Sequence, residues 1–254
     1  MSPDVRGGQA IQVDGLRVAF GDFVAIPGLT FIARYGEIHG VIGPNGAGKT
    51  TLLDVITGKT KPREGKVVLD GITDLLRLTE PQIALAGVGR KFQKPSVFEA
   101  LTVRENLELA LRLHQRSILA ELRGWGDPRR AARVGEVLEE IGLESRADAP
   151  AGILAHGQKQ WLEIGMLLMQ RPKLLMLDEP VAGMTDAETA HTADLVQRLR
   201  APDRAILVIE HDMAFVEEIA DRVTVLHEGT PIFEGRMADA RADARVREVY
   251  LGRH

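Results

Sequence analysis

Cysteine is absent from the chain. Its absence removes disulfides, thiolate nucleophiles and cysteine-based metal sites together, and fits a reducing compartment. Long apolar runs are absent too: none approaches the roughly 18 residues that span a bilayer, so any role at a membrane requires docking on another chain. The first nine residues are polar and carry neither a charged-then-apolar pattern nor a cleavage site, so export is not expected. An excess of positive charge is also missing. With a net charge of −4, no basic field covers the molecule and nucleic acid is not a favoured partner. Internal repeats, heptads and low-complexity tracts do not occur. What remains, in 254 residues that are 44% hydrophobic and 27% charged, is the composition of an α/β protein with one large domain and room for a smaller insertion.

The most informative segment is Gly43-Pro44-Asn45-Gly46-Ala47-Gly48-Lys49-Thr50-Thr51, which follows the apolar run 36–42 and fits G-x-x-x-x-G-K-[ST] without a gap. Strand, glycine-rich turn and helix in that order make a nucleotide-phosphate cradle. Glycines let backbone N–H groups converge on phosphate oxygens, Lys49 supplies a point charge for the outer phosphates, and the Thr50 hydroxyl is placed to ligate Mg²⁺.

Around this turn, residues 11–20, 29–33, 36–42 and 65–70 read as strands and 49–57 as a helix ended by Gly58. The pattern then changes: 101–114 and 128–141 are helical in period, separated by a loop at 123–127. Strand and helix alternate again from 173–178 through a helix near 186–200 to a strand at 204–210. Residues 222–227 and 231–234, joined through Glu228-Gly229-Thr230, form a terminal hairpin. A helical insertion of about 93 to 165 therefore interrupts an α/β core.

Residues 174–177 are an apolar strand that ends in Asp178-Glu179. Side chains alternate on a strand, so the two acids are expected to divide the work. Asp178 would hold Mg²⁺ opposite Thr50, and Glu179 would orient the attacking water or take its proton. His211 closes the strand 205–210, a position where a lone histidine is more often a bystander than a catalyst.

In these residues the sequence resembles the ATP-binding subunits of ABC transporters over nearly its whole length. The glycine loop, Gln93, Leu154-Ala155-His156-Gly157-Gln158-Lys159-Gln160, Asp178-Glu179 and His211 stand in that family's order. The resemblance implies a P-loop NTPase fold of the ABC ATPase type. Its RecA-like α/β core, residues 10–92 and 166–254, would carry an N-terminal antiparallel β-subdomain, with an inserted α-helical subdomain at 93–165. It further implies ATP and Mg²⁺ as ligands, Gln93 as sensor of Mg²⁺ and of the lytic water, and His211 as a contact of the γ-phosphate. Asp186 would lie in the loop that crosses to a partner subunit. Phe20 matches the aromatic that stacks on adenine in the family, and a core phenylalanine at a strand end is the alternative.

The turn at 154–158 stands where the family usually carries LSGGQ, a helix start that faces the γ-phosphate held by the other subunit. Gly157 and Gln158 match; Ala155 lacks the serine hydroxyl and His156 replaces a glycine. Loss of one hydrogen bond to a charged oxygen, about 1.5–3 kcal/mol, is expected to weaken this half-site rather than destroy it. Residues 209–213, 178–184 and 249–252 resemble the ATPases of the branched-chain amino acid and amide uptake group. Residues 156–165 most resemble the urea transporter subunit, which makes urea or a short amide the expected cargo. Trp161 also falls at helical spacing with Gly165 and Leu168, where it can simply pack the helix inward. Lipopolysaccharide-export ATPases share much of the pattern.

The resemblance implies a head-to-tail dimer, closed by two nucleotides, on the inner face of the cell membrane. The second ATP-binding subunit would be a different chain or a copy of this one. Two transmembrane permeases and, indirectly, a periplasmic solute-binding protein complete the assembly. Phe92, Pro95, Val97 and Phe98 are candidates for permease docking or, equally, for internal packing. A nucleotide-gated clamp that hydrolyses ATP poorly is the competing class, argued against by the presence of Lys49, Gln93, Asp178, Glu179 and His211 together.

Overall fold

The computed structural model describes residues 8–91, 96–113 and 128–251. The strands in chain order are β1 (Gln9–Phe20), β2 (Phe23–Arg34), β3 (Ile38–Ile42), β4 (Glu64–Leu69), β5 (Thr73–Asp74), β6 (Val88–Lys91), β7 (Leu174–Asp178), β8 (Ala205–Glu210), β9 (Arg222–His227) and β10 (Thr230–Gly235). The helices are α1 (Lys49–Ile56), α2 (Glu80–Ala86), α3 (Val103–Leu113), α4 (Pro128–Glu140), α5 (His156–Leu168), α6 (Asp186–Arg198), α7 (Met213–Ile219), α8 (Met237–Ala242) and α9 (Ala244–Leu251).

Two sheets organise the first unit. One is antiparallel, in the order β2-β1-β4-β5, with the buried pairs Val13–Phe31, Leu16–Leu29 and Val18–Ile26 in register between β1 and β2. The other runs β10-β9-β3-β8-β7-β6, with β3 parallel to β8 and β9, and β7 parallel to β8. Every residue of β3, β7 and β8 is buried, which explains why they are apolar apart from His39 and the terminal Asp178 and Glu210: a parallel strand covered on both faces has no polar side to alternate with. Between the sheets, residues of the first such as Val13 and Phe31 share a core with Leu53 and Ile56 of α1 and with Met176 and Leu207 of the second. A separate cluster, including Val216, Val225, Met237 and Val246, brings α7, α8 and α9 together with β9. The hairpin β9–β10 turns on Glu228 (φ 49°) and Gly229 (φ 75°), left-handed at both positions as a two-residue type I′ turn requires.

The chain divides differently from the sequence expectation. The first unit comprises the described residues up to Arg90, Lys173–Glu179 and those from Arg200 onward. The second takes the described residues of Lys91–Pro172 together with Pro180–Leu199. A boundary at 165/166 would cut through α5, and 180–199 does not join the nucleotide-binding core. The reason is packing: in the second unit the Trp161 indole of α5 donates to Thr192 Oγ1 of α6 at 2.9 Å, and Arg198 donates to the Glu140 carbonyl at 3.2 Å.

Candidate phosphate site and signature turn

In the first unit, β3 delivers the chain into the glycine turn and α1 starts at Lys49. Gly48, the N-cap, is left-handed (φ 93°, ψ 2°), and a Cβ there would lie 3.3 Å from the Ala25 carbonyl oxygen and 3.3 Å from Gly229 Cα. The close fit of β2, the turn and the β9–β10 hairpin therefore demands glycine. No side chain caps α1 and no acidic residue stands in its first turn, so its N-terminal N–H groups and dipole are left to attract an anion. Asn45, Gly46 and Thr50 are exposed, Thr51 is half-buried, and Gly43 and Ala47 are buried.

Lys49 is only 8% exposed and donates to the carbonyls of Gly43 (2.6 Å) and Pro44 (3.0 Å). Burial pushes its pKa below the ordinary lysine value, and the carboxylates of Glu179, Asp178 and Glu210 oppose that fall.

Asp178 ends β7 and is 2% exposed. Its Oδ2 accepts from Arg90 Nη2 at 2.8 Å, while Arg90 Nη1 donates to Asp54 Oδ1 at 2.5 Å. Asp178 Oδ1 has no hydrogen-bond partner among the described residues. A buried carboxylate oxygen left open in this way fits a hard cation, as does the Thr50 hydroxyl. No cluster of three or more metal-ligating side chains occurs among the described residues, so Mg²⁺ held here would take its remaining ligands from water and phosphate.

Alternation along a strand is not what separates the two acids. β7 stops at Asp178, and Glu179 is left-handed (φ 47°), with its N–H donating to the Ile209 carbonyl at 2.9 Å. A turn at the strand end, tied to β8, sets the direction of Glu179. A non-glycine residue in this conformation costs of order 1–3 kcal/mol, and such outliers cluster at functional sites. His211 Nδ1 lies 3.9 Å from Glu179 Oε1 and 3.6 Å from Glu210 Oε2. Glu210 is fully buried, and its Oε2 accepts from the N–H of His211 at 3.0 Å and of Asp212 at 3.4 Å. Asp212 in turn caps α7 through Ala214 N and Phe215 N. The exposed His211 ring thus rides on a fixed backbone beside Glu179.

A pocket of about 460 Å³ adjoins the glycine turn, lined by Phe23, Val24, Pro27, Asn45, Gly46 and His227 among others. Phe20, 53% exposed and paired with Phe23 across the β1–β2 hairpin, is not among its lining residues, whereas Phe23, 66% exposed, is. Gln93, Phe92 and Pro95 lie outside the described residues; Val97 is half-buried and Phe98 is 48% exposed.

In the second unit, α5 begins at His156 with Ala155 as its N-cap, and Gln158 Oε1 accepts from Ala155 N at 3.1 Å. The His156 ring reaches the Ala182 carbonyl at 3.3 Å, so the turn 155–158 and the loop before Asp186 are in contact. Asp186 is exposed at the start of α6. Trp161 is 8% exposed and packs against His191 with ring centroids 4.2 Å apart and planes tilted by 41°, a packing residue of the helix interior. Sequence reading missed Arg90, Glu210, Phe23 and Glu188. The Thr185-x-x-Glu188 capping pattern was the available signal for one of them.

A family model described as ABC transporter matches residues 26–182. The chain is 37% identical over 249 residues to the high-affinity branched-chain amino acid transport ATP-binding protein BraF of Pseudomonas aeruginosa, covering 95% of this chain and 97% of that protein. It is 38% identical over 251 residues to LivG of Escherichia coli K12, a protein of the same description, with the same coverage. Among solved structures, the ADP conformation of MJ1267, an ATP-binding cassette of an ABC transporter, superimposes with a TM-score of 0.83 at 32% identity, over 96% of this chain and 99% of that one.

Proposed function

The chain belongs to the ABC transporter family as an ATP-binding, ATP-hydrolysing subunit, and from that premise we propose that it energises import of branched-chain amino acids through partner permeases. The observation that carries the enzymatic part is the buried Lys49 at the uncapped start of α1, in the same unit as the open Oδ1 of buried Asp178 and the Glu179 beside His211. The cargo rests on likeness to two branched-chain amino acid transport proteins over 95% of the chain. Urea, expected from residues 156–165, finds no support among these relatives and stands as the second reading.

In this proposal Lys49 and the N–H groups of residues 43–51 hold the phosphates, releasing the lysine from its own loop carbonyls. Thr50 and Asp178 hold Mg²⁺, which when bound neutralises charge on the phosphates. Glu179 takes the proton of the attacking water and His211 contacts the γ-phosphate. Gln93 is assigned to sensing the lytic water on family resemblance alone. The base sits against Phe23 rather than Phe20. Ala155, His156, Gly157, Gln158 and Asp186 serve the nucleotide of a second ATP-binding subunit, because a phosphate cradle and a signature turn each supply half of a closed site; that this subunit is a different chain rests on family resemblance alone.

No helix among the described residues is long and apolar enough to cross a membrane. Peripheral attachment to two permeases on the inner face, served by a periplasmic solute-binding protein, accords with that.

The test is reconstitution with the neighbouring permeases and binding proteins in vesicles. Leucine-stimulated ATP hydrolysis and uptake, both abolished by Lys49→Ala, are expected. Stimulation by urea but not leucine moves the assignment to the second reading, and transport that survives Lys49→Ala defeats the proposal.

A further inference from the structure

The signature helix α5 starts without the usual device. An N-cap side-chain oxygen normally accepts the N–H of the second or third helical residue, and Ala155 has none to offer. Half of a capping box survives, since Gln158 reaches back to the Ala155 N–H. The other half is supplied from a different helix. The carboxylate of Glu188 in α6 stands directly against Gly157, second in α5 and buried. Glu188 Oε1 comes so close that a Cβ on residue 157 would lie 2.6 Å from it. Gly157 has no positive φ to satisfy; it is glycine's lack of a side chain that admits this carboxylate.

Glu188 also serves its own helix. Its Oε2 accepts from Thr185 N at 3.0 Å and Thr185 Oγ1 at 2.9 Å. One carboxylate therefore stands at two helix starts, one oxygen turned to each. These donors, Thr185 first and Gly157 after it, with the neighbouring His156, hold its pKa below the ordinary glutamate range. The His156 ring on the Ala182 carbonyl runs alongside, so the turn 155–158 and the loop 182–186 are joined at two points.

Resting on the ATPase reading above, we infer that Glu188 caps the signature helix in place of the missing serine, and must release the Gly157 amide before a nucleotide phosphate of the partner subunit can take it. Two anions cannot share one N–H donor, and a carboxylate at a helix start already satisfies the dipole that would draw the phosphate. Glu188 is thus a positioning residue. It keeps the turn ordered without nucleotide and links the arrival of phosphate to the freedom of the loop that crosses to the partner.

The experiment uses the full assembled complex and reads KM for ATP separately from kcat. Glu188→Gln, which keeps the shape and removes the charge, lowers KM about tenfold with kcat within threefold, because a charged acceptor no longer competes. Glu188→Asp, one methylene too short to reach Gly157 while bonded to Thr185, shifts KM the same way. Glu188→Ala lowers kcat by disordering the turn, and adding Ala155→Ser restores it, since the hydroxyl caps Gly157 directly. An unchanged KM in both Glu188→Gln and Glu188→Asp, or no rescue by Ala155→Ser, overturns the inference. Lys49→Ala is the parallel control: its inactivity keeps the ATPase reading intact whatever Glu188 does, and its activity removes that reading instead.

Discussion

In the proposed function two helix starts meet phosphate, and they are prepared in opposite ways. α1 begins bare, with no cap, no acid in its first turn and a buried lysine beside it. α5 begins with a carboxylate from α6 already in place. Both have a glycine among their first turns: Gly48 answers a left-handed backbone as well as close neighbours, Gly157 a neighbour's approach alone. A helix start left empty can bind its phosphate outright, whereas a filled one binds only by exchange. The first arrangement suits tight holding of nucleotide by a single chain; the second suits a contact that forms and breaks with each cycle.

The comparison breaks most completely at the bare end. Glu179→Gln is expected to lower kcat by about 10²–10⁴ while ATP binding persists, measured by steady-state hydrolysis and by equilibrium binding. Turnover within threefold of wild type would remove Glu179 from proton transfer. Next comes the support beneath the site: Arg90→Leu strips Asp178 and Asp54 of their shared partner and should cost about 3–5 kcal/mol of folding stability by denaturant unfolding. A loss below about 1 kcal/mol would mean that the acids find other donors.

The pocket beside α1 sharpens the contrast further. Phe23→Ala should weaken ATP binding by about tenfold, the worth of one stacked aromatic, and Phe20→Ala by less than threefold. The reverse order would return the base to Phe20. The smallest effect belongs to the capped end. Glu188 has its pKa depressed in the folded state, so its contribution is complete above the ordinary glutamate value of 4.5 and fades as pH falls through the lower folded value. The melting-temperature gap between wild type and Glu188→Gln should therefore be constant above pH 4.5 and close below it. Because the carboxylate is half-buried, the gap is small; a gap that widens in acid contradicts the cap.

Much of the phosphate site is legible in the sequence because its parts are local. The glycine loop, the apolar strand before it and the acids after β7 each announce themselves within a few residues. The buried strands β3, β7 and β8 and the β9–β10 hairpin are equally readable, since continuous apolar runs and a turn dipeptide need no tertiary knowledge. The short elements are harder. α2, α7 and α8 span only six or seven residues, too few for a period to emerge, although Thr79 with Gln82 and Asp212 mark the starts of α2 and α7.

The sequence by itself determined the cassette's chemistry: a phosphate cradle, a paired acid element and a signature turn lacking its serine, all set by residue type at fixed spacing. Only the tertiary structure decided which groups answer one another across long separations. It put Arg90 between Asp54 and Asp178, turned Glu179 out of its strand, set Phe23 rather than Phe20 at the pocket, and carried Glu188 to the amide of Gly157. Spacing along a chain fixes what a single turn or strand can present; burial and close approach between elements depend on packing, which no local pattern encodes.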